Sequence, residues 1–269
     1  ARALSKVVAT ITVSGRDKTS VIARVTNFLF EQKANIEALE EGVTRGQFSM
    51  VLQASWREGQ LQPAELRKGL NALGRELGME MRMRLSEPGR KQRMAIMVTR
   101  EAACSEALLA AFKKGQLKQA EPVVVIGNRA DLKSIAKKHK LPFLHIPWND
   151  RQRAEKKALR ILEKHEVDFV VLARFMKILS PDFVWRYKNK IINIHPSLLP
   201  SLPGPQAYRQ AYEHGVKIIG VTAHFVSMHL DEGPVIAQES FNVKPGWTLK
   251  QIVAEGRERE AKILLKAVK

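Results

Sequence analysis

The stretch INIHPSLLPSLPG, Ile192–Gly204, decides the fold because it joins an apolar strand to a loop that contains three prolines. Side chains alternate across a strand, so Asn193 and His195 share one face and Ile194 points the other way. Pro196 has no N–H to donate and therefore ends the strand's hydrogen bonding. Open α/β sheets bind ligands at the carboxyl ends of such buried strands. The stretch predicts a largely parallel sheet with a functional site at this edge.

Apolar runs of the same kind precede this stretch from Met94 onward, and helical segments separate them. The runs are MAIMVT, EPVVVIGN, LPFLHI and VDFVVLA. Apolar strands that alternate with helices are typical of a doubly wound sheet covered on both faces. KIIGVTAHFV and GPVIAQESFNV predict two further strands, and a helix is expected from about Thr248 onward. Residues 93–269 are therefore predicted to form a Rossmann-like, doubly wound and mostly parallel α/β domain.

Residues 1–85 have a different pattern, with two helical segments set among alternating strands. The order is βαββαβ, which is the ferredoxin-like split βαβ unit. SEPGRKQ, residues 86–92, interrupts the pattern and is predicted to be the linker between two domains.

The composition favours a folded enzyme-sized chain: 269 residues, of which 45% are hydrophobic. We find no apolar run long enough to span a membrane and no apolar segment typical of a secretory signal near the first residues. The one cysteine, Cys104, cannot form an internal disulfide. These features predict a cytoplasmic protein without a membrane partner.

The net charge of +18 is high and leaves three interpretations open. It could attract nucleic acid, it could steer a polyanionic small molecule, or it could belong to a solvated lysine-rich surface. Lysine and arginine are scattered rather than grouped in blocks, and only 6% of residues are aromatic. We therefore do not expect nucleic acid to be a partner.

Polar residues with the chemistry of acyl transfer follow the opening stretch. The segment GVTAHFVSMHLDEGPV carries His224 and Asp231. An amide such as that of Asn193 can hold an oxygen that becomes negative, and His195 can donate to that oxygen and move a proton. A carboxylate such as Asp231 can orient the histidine. Ser197 is more typical of a loop cap than of a nucleophile, so water or an amine is expected to attack directly.

Simpler interpretations of the same residues stay open from spacing alone. Asn193 can satisfy a turn, His195 can be a core histidine, and Asp231 lies in an ordinary acidic turn. His195, His224 and Asp231 could also bind a metal, but no pair has helical i, i+4 spacing and no cysteine cluster exists. We expect neither a metal nor a cofactor.

NIHPSLLP followed by H-x-V-x-x-x-x-D-x-G-P, which begins at His224, resembles the folate-dependent formyltransferase family over roughly residues 93–265. The N-terminal module resembles an ACT domain, an amino-acid-sensing fold, with GRDKTSVIARVTNFLFEQKANIEAL as its most similar segment. An ACT domain followed by this catalytic domain is the arrangement of the formyltetrahydrofolate deformylases. The resemblance implies hydrolysis of 10-formyltetrahydrofolate to tetrahydrofolate and formate.

The resemblance also implies roles for individual positions. The catalytic residues would be Asn193, His195 and Asp231. The substrate pocket would be lined by two loop segments and a turn glycine: Met176, Lys177, Ile178, Leu179, Val226, Ser227, Met228 and Gly204. An amino-acid effector would bind the loop of the ACT domain that contains Gly15, Arg16, Asp17 and Thr19. ACT domains commonly associate, so a homodimer or homotetramer is expected.

Two features bear on which molecule accepts the formyl group. Deformylases usually carry a second histidine at the position of Pro196. The purine-pathway transferases carry a proline there, as this chain does, so a transferase acting on an amine stays open as the alternative. A transferase for glycinamide ribonucleotide must bind a phosphate, which usually requires a glycine-rich loop after the first strand. That loop, VTREAACSEALL (Val98–Leu109), has no glycine, and Glu101 would repel a phosphate.

Two more distant alternatives are weaker. A methionyl-tRNA formyltransferase would suit the positive charge, but that family carries a further C-terminal domain. A non-catalytic amino-acid sensor would not need Asn193, His195 and Asp231 together. The sequence therefore favours water as the acceptor.

Overall fold

The computed structural model describes residues 6–86, 89–202 and 204–269. Contacts divide the chain into two compact units, residues 1–90 and 91–269. Each is described by itself below.

The first unit has the βαββαβ order expected from the sequence. Its elements are β1 (Lys6–Arg16), α1 (Val21–Glu31), β2 (Asn35–Thr44), β3 (Gln47–Arg57), α2 (Pro63–Leu77) and β4 (Met79–Ser86). The strands form one antiparallel sheet in the order β2-β3-β1-β4, so β4 lies at an edge as its alternating methionines predicted.

Alternation places one face of this sheet against the two helices. Ile11 pairs with Leu52 at the centre, and both side chains are fully buried. Helix α1 buries Val21, Val25 and Leu29, which recur every four residues and so form one face. Gly78 ends α2 in the left-handed conformation, with φ of 62°, which glycine adopts without a steric cost.

The second unit contains the seven strands expected from the sequence and six helices among the residues described. Its elements are β5 (Gln92–Val98), α3 (Ala103–Lys113), β6 (Ala120–Gly127), α4 (Lys133–Lys138), β7 (Phe143–His145), α5 (Arg151–Lys164), β8 (Phe169–Ala173), α6 (Pro181–Arg186), β9 (Ile191–His195), α7 (Ala207–Glu213), β10 (Ile218–Phe225), β11 (Val235–Asn242) and α8 (Leu249–Val268). The sequence predicts helical segments between the strands and a C-terminal helix, but α4, α6 and α7 have only six or seven residues, too few to show a clear helical period. Ser86 and Gln92, the two ends of the predicted linker, belong to strands, and residues 87–88 lie outside the described part of the chain.

The strand order is β11-β10-β9-β8-β5-β6-β7. Strands β9, β8, β5, β6 and β7 run parallel, whereas β10 is antiparallel to both of its neighbours. The sheet is therefore mostly parallel, as predicted. Both faces are covered, because one apolar cluster contains side chains of α3, α4 and α8 and the other contains side chains of α5 and α6.

The chain leaves β5 toward β6 and β7 on one side of the sheet and then returns to β8 on the other side. The reversal between β5 and β8 is the topological switch point, where the loops after two adjacent strands diverge and open a crevice. The loop after β5 begins at Thr99 and the loop after β8 begins at Arg174. Thr99 Oγ1 accepts a hydrogen bond of 2.9 Å from the Met176 N–H, which joins the two loops.

Candidate active site

Strand β9 positions the first two candidate residues. Ile192 and Ile194 point into the cluster that contains α3 and α8, whereas Ile191 points into the opposite cluster. Alternation therefore places Asn193 and His195 on the same face as Ile191, as the sequence predicted. His195 is buried and Asn193 is partly buried.

The antiparallel strand β10 adds a third polar side chain. In the register of β9 with β10, His224 lies opposite Asn193 and Thr222 lies opposite His195. Asn193 Nδ2 and His224 Nε2 are 3.3 Å apart. The sequence identified His224 as a polar residue of this region, but its contact with Asn193 follows from strand pairing and could not be read from spacing.

The protonation of His224 follows from its partners. Its Nδ1 lies 3.0 Å from the carbonyl oxygen of Phe225, which can only accept, so Nδ1 carries the hydrogen. Its Nε2 then accepts from the Asn193 amide. Burial lowers the pKa of His224, opposed by the Phe225 carbonyl and by Asp231, and this favours the same neutral ring. Neutral His224 therefore fixes which way the Asn193 amide faces.

Asp231 lies on the loop between β10 and β11, and its side chain is 6% exposed. Its Oδ2 is 3.5 Å from His195 Nδ1 and accepts a hydrogen bond of 3.0 Å from the Gly204 N–H. Its Oδ1 is 3.8 Å from His224 Nε2. Asn193, His195, Asp231 and His224 thus form one contiguous cluster, which we call the catalytic cluster.

The loop that carries Asp231 has little freedom. Asp231 has φ of 58°, a left-handed conformation that aspartate and asparagine tolerate better than most residues. A Cβ added at Gly233 would lie 1.6 Å from the carbonyl oxygen of Phe225, so only glycine fits where the loop crosses β10. The geometry of this turn holds the Asp231 carboxylate in place.

The proline-rich loop supplies the other partner of His195. His195 Nε2 lies 3.1 Å from the carbonyl oxygen of Leu202, so that nitrogen donates. Both ring nitrogens of His195 therefore face oxygen acceptors, Leu202 on one side and Asp231 on the other. A neutral imidazole can donate to only one of them, whereas the protonated ring can donate to both.

The same loop is braced by buried hydrogen bonds that the sequence did not reveal. Thr222, fully buried, donates from Oγ1 to the Ser197 carbonyl at 2.7 Å and accepts from the Leu199 N–H at 3.1 Å. Gln238 Nε2 donates to Thr222 Oγ1 at 2.9 Å and to the Leu199 carbonyl at 3.1 Å. Ser197 donates its own hydroxyl hydrogen to the carbonyl of Ser201, which agrees with the predicted loop role.

The segments predicted to line the substrate pocket follow the strands on either side of β9. Met176 and Ile178 are 57% and 63% exposed, unusual for large apolar side chains, whereas Leu179 is buried. Lys177 between them is exposed. Gly204, predicted to contact substrate, uses its N–H to hold Asp231.

The second predicted segment leaves β10 beside the amino end of β9, because β10 runs antiparallel to it. The Val226 N–H donates to the Ile191 carbonyl at 2.8 Å. Ser227 Oγ donates to the His229 carbonyl, and Met228 is 36% exposed. The loop then returns to place Asp231 beside His195.

The predicted effector loop follows β1 in the first unit. Gly15 and Arg16 end β1, and the Asp17 N–H donates to the Gly46 carbonyl at 2.9 Å. Thr19 lies exposed just before α1. A Cβ at Gly15 would lie 2.6 Å from the sulfur of Met79 and 3.0 Å from the Gly78 carbonyl, so the backbone is closely packed there.

Across residues 6–86, 89–202 and 204–269, no group of three or more histidine, cysteine, aspartate or glutamate side chains is arranged to hold a metal ion. No helix in that part of the chain is long and apolar enough to cross a membrane.

Comparison with known proteins agrees with this geometry. The formyl transferase family matches residues 92–268, and the ACT domain family matches residues 8–84. The formyltetrahydrofolate deformylase of Escherichia coli is 37% identical over 256 residues, covering 94% of this chain and 89% of that protein. The deformylase of Bacillus subtilis is 36% identical over 262 residues, covering 96% and 86%.

Solved structures give the same result. A formyltetrahydrofolate deformylase from Pseudomonas syringae superposes with a TM-score of 0.64 at 31% identity, covering 97% of this chain and 88% of that one. Glycinamide ribonucleotide transformylase 1 from Symbiobacterium toebii gives a TM-score of 0.64 at 32% identity, but covers only 67% of this chain and 87% of its own. The chain therefore belongs to the formyltetrahydrofolate deformylase family, with an ACT domain ahead of a formyl transferase domain.

Proposed function

We propose that this chain is a hydrolase that converts 10-formyltetrahydrofolate and water into tetrahydrofolate and formate. The observation that carries the proposal is the convergence of Asn193, His195 and Asp231 on one point at the end of β9. Ser197, the serine two positions after His195, donates its hydroxyl hydrogen to the Ser201 carbonyl within its loop, so we assign it no role as a nucleophile. Water then attacks the formyl carbon directly.

Asn193 holds the formyl oxygen. Its amide has two hydrogens, and one of them is taken by Nε2 of His224. The second is free to donate to the oxygen that becomes negative when water adds to the formyl carbon. Such a donor is most effective when it is fixed before the reaction, and His224 provides that orientation.

His195 moves the proton. The Leu202 carbonyl, 3.1 Å from Nε2, marks a position where an oxygen acceptor meets this nitrogen. In the reaction His195 exchanges that contact for the substrate, donates to the developing oxyanion and passes a proton to N10 of the folate. The C–N10 bond then breaks, so water has supplied a hydroxyl group to the formyl carbon and a hydrogen to N10.

Asp231 stabilises the charged form of His195 and positions the water. Its Oδ2 is committed to His195 and the Gly204 N–H. Its Oδ1 lies 3.8 Å from His224 Nε2, beyond hydrogen-bond length, which leaves this oxygen available to the attacking water.

Binding of the folate falls to Met176, Lys177, Ile178 and Leu179, to Val226, Ser227 and Met228, and to Gly204. The exposed Met176 and Ile178 offer apolar surface that a pterin ring would cover. Main-chain groups of the same loops would recognise the polar edge of the ring. The substrate is itself the carrier of the formyl group, so the reaction requires no further cofactor.

A folate-dependent formyltransferase is the second candidate, and Pro196 is the observation that favours it. The glycine-free loop after β5 opposes it, because that loop has no ready site for the phosphate of glycinamide ribonucleotide. The high identity to deformylases along nearly the whole chain also supports hydrolysis.

The ACT domain is proposed to bind a small amino acid in the loop with Gly15, Arg16, Asp17 and Thr19, and to couple this binding to turnover. Association of ACT domains would make the protein a homodimer or homotetramer. Its substrate is an intracellular coenzyme, so we place the enzyme in the cytoplasm, with neither a nucleic acid nor a membrane as partner.

The test is a formate assay with purified protein, 10-formyltetrahydrofolate and no amine. Release of formate and tetrahydrofolate in equal amounts is expected. Formate production that begins only when an amine acceptor is added, or a formylated amine in place of formate, would instead identify a transferase. Addition of individual amino acids to the same assay tests regulation.

A further inference from the structure

Charged side chains outside the catalytic cluster lie on the loops that follow β5 and β8 and on the part of α8 that contacts them. Arg174 follows β8 directly and has φ of 60°, a left-handed conformation that is costly for an arginine. Its Nε lies 3.5 Å from Oε2 of Glu260 on α8. Backbone strain of this kind persists only where surrounding contacts hold it in place.

Glu260 is the most deeply placed member of this group. It is 1% exposed, and its Oε1 accepts a hydrogen bond of 2.7 Å from the hydroxyl of Tyr208. Burial raises the pKa of Glu260, while Arg174 and then Tyr208 oppose that rise. Burial also raises the pKa of the neighbouring Cys104 thiol to about 12, with Glu260 adding to the effect, so Cys104 is not a nucleophile in this crevice.

A second ion pair lies at the entrance to the loop after β5. Glu101 Oε1 accepts a hydrogen bond of 2.9 Å from Nη2 of Arg257, also on α8. Glu101 immediately precedes Ala102, the N-cap of α3, and that helix begins without a side-chain cap. The free N–H groups of a helix N-terminus favour an anion, and here the residue before the N-cap is itself a glutamate, whose carboxylate pairs with Arg257.

These residues form a set that we call the crevice cluster: Glu101, Arg174, Tyr208, Arg257 and Glu260. Each of its two arginines lies beside one of its two glutamates: Arg174 beside Glu260 and Arg257 beside Glu101. A phosphate that entered would find each arginine beside a carboxylate of the chain, at 3.5 Å for Arg174 and 2.9 Å for Arg257, and negative charge on these carboxylates would oppose its binding.

We propose that Glu101 and Glu260 determine acceptor specificity, because they pair with Arg257 and Arg174, two arginines that could otherwise bind an anionic amine such as a ribonucleotide. Water, which needs no such site, remains the acceptor. This inference rests on the proposed hydrolysis and explains why the reaction stops at formate.

The test measures formate release from 10-formyltetrahydrofolate while glycinamide ribonucleotide is added as a probe. We compare the wild type with Glu101→Gln and Glu260→Gln. We expect the probe to leave the wild type unaffected, and to slow formate release by the variants at concentrations at least ten-fold lower than any that affect the wild type. Formylated probe should be detectable by mass spectrometry with the double variant.

Glu255→Gln is the matched control, since Glu255 is a carboxylate of the same helix that pairs with Arg259 rather than with the crevice arginines. It should behave as the wild type does. Glu101 is partly exposed, so its replacement should not prevent folding. If Glu260→Gln does not fold, the Glu101→Gln variant alone tests the crevice proposal.

The outcomes separate the two proposals. A wild type that releases no formate would contradict the proposed function. A wild type that releases formate and is also inhibited by the probe as strongly as the variants would overturn the crevice proposal alone. The crevice proposal also fails if Glu101→Gln stays as insensitive as the Glu255→Gln control.

Discussion

Asp231 and Glu260 are two buried carboxylates of one domain with opposite surroundings. Glu260 faces an arginine and a tyrosine hydroxyl, partners that keep their protons near neutral pH. Asp231 faces two imidazole rings and one backbone N–H. A histidine can gain or lose a proton in the physiological range, whereas an arginine cannot. Burial alone therefore does not identify a catalytic carboxylate; the capacity of its partners to titrate does.

The largest expected effect comes from removing the charge of each carboxylate in turn. Asp231→Asn should lower kcat by about 10²–10⁴, the usual range for general acid–base assistance. It should leave folate binding and thermal stability nearly unchanged, because asparagine also tolerates the left-handed backbone at this position. Glu260→Gln should instead lower the free energy of unfolding by about 1–3 kcal/mol. Its rate of formate release should stay within a few-fold of the wild-type rate.

Steady-state kinetics and thermal unfolding of both variants check this contrast. If Glu260→Gln loses turnover as severely as Asp231→Asn while remaining folded, the two carboxylates do not divide their roles in this way. Alanine is a poorer choice at position 231, since it would add backbone strain to the chemical loss.

Asn193→Ala should lower kcat by about 10²–10³, the typical cost of removing one oxyanion donor. KM should change little, because the lost hydrogen bond strengthens only as the oxygen becomes negative. Kinetics and a folate-binding titration test this. A large rise in KM with kcat preserved would show that Asn193 binds the substrate rather than the transition state.

Thr222→Val keeps the shape of a buried side chain and removes the hydroxyl that links Ser197 and Leu199. We expect about a ten-fold fall in kcat with KM retained, because a loosened loop would misplace the partner of His195. Thr222→Ser should recover most of the activity. Ser55→Ala, which removes a buried hydroxyl bonded to Glu37 in the other unit, is the control and should leave kcat unchanged.

Failure of serine to restore Thr222→Val would indicate that packing, rather than the hydroxyl, matters there.

The smallest effect concerns pH. Burial lowers the pKa of His224, so below its ordinary value of about 6.5 the unfolded chain binds a proton that the folded chain refuses. Stability should therefore be unaffected above that pH and should fall as the solution becomes more acidic. Denaturant unfolding between pH 7.5 and 5 checks this for the wild type and for His224→Asn.

As the pH falls, the stability of the His224→Asn variant should decrease less steeply than that of the wild type. His139 and His165, whose pKa values are also lowered by burial, supply the remaining slope and are unchanged in the variant. An identical slope in both proteins would mean that His224 does not resist protonation in the folded state.

The fold could be predicted because each strand and each longer helix is specified by residues that are close together in the sequence. Apolar runs such as Phe169–Ala173 are buried on both faces, and the flanking helices have clear periods. The shared face of Asn193 and His195 follows from alternation within one strand. Helices α4 and α6 could not be predicted, because six residues are too few to show a helical period.

The remainder of the site depends on pairing between distant segments. The contact of Asn193 with His224 is set by the register of β9 and β10, and the Leu202 carbonyl reaches His195 through the path of a loop. Nothing near Glu260 in the sequence reveals that it lies beside Arg174. Positions of this kind are fixed by tertiary structure rather than by local composition.

The strand order also has a consequence for how the second unit folds. Strand β5 lies beside β8, although Met94 and its partner Phe169 are far apart in the chain, and Glu101 contacts Arg257 across 156 positions. Contacts between such distant segments require the closure of long loops before they stabilise anything, and this slows folding. The first unit has a closure of the same kind, since β1 pairs with β4 and Val8 lies opposite Ser86, whereas β2 and β3 are adjacent in the sequence. The β2–β3 hairpin should therefore form early, whereas the β1–β4 and β5–β8 ladders form only after long loops have closed.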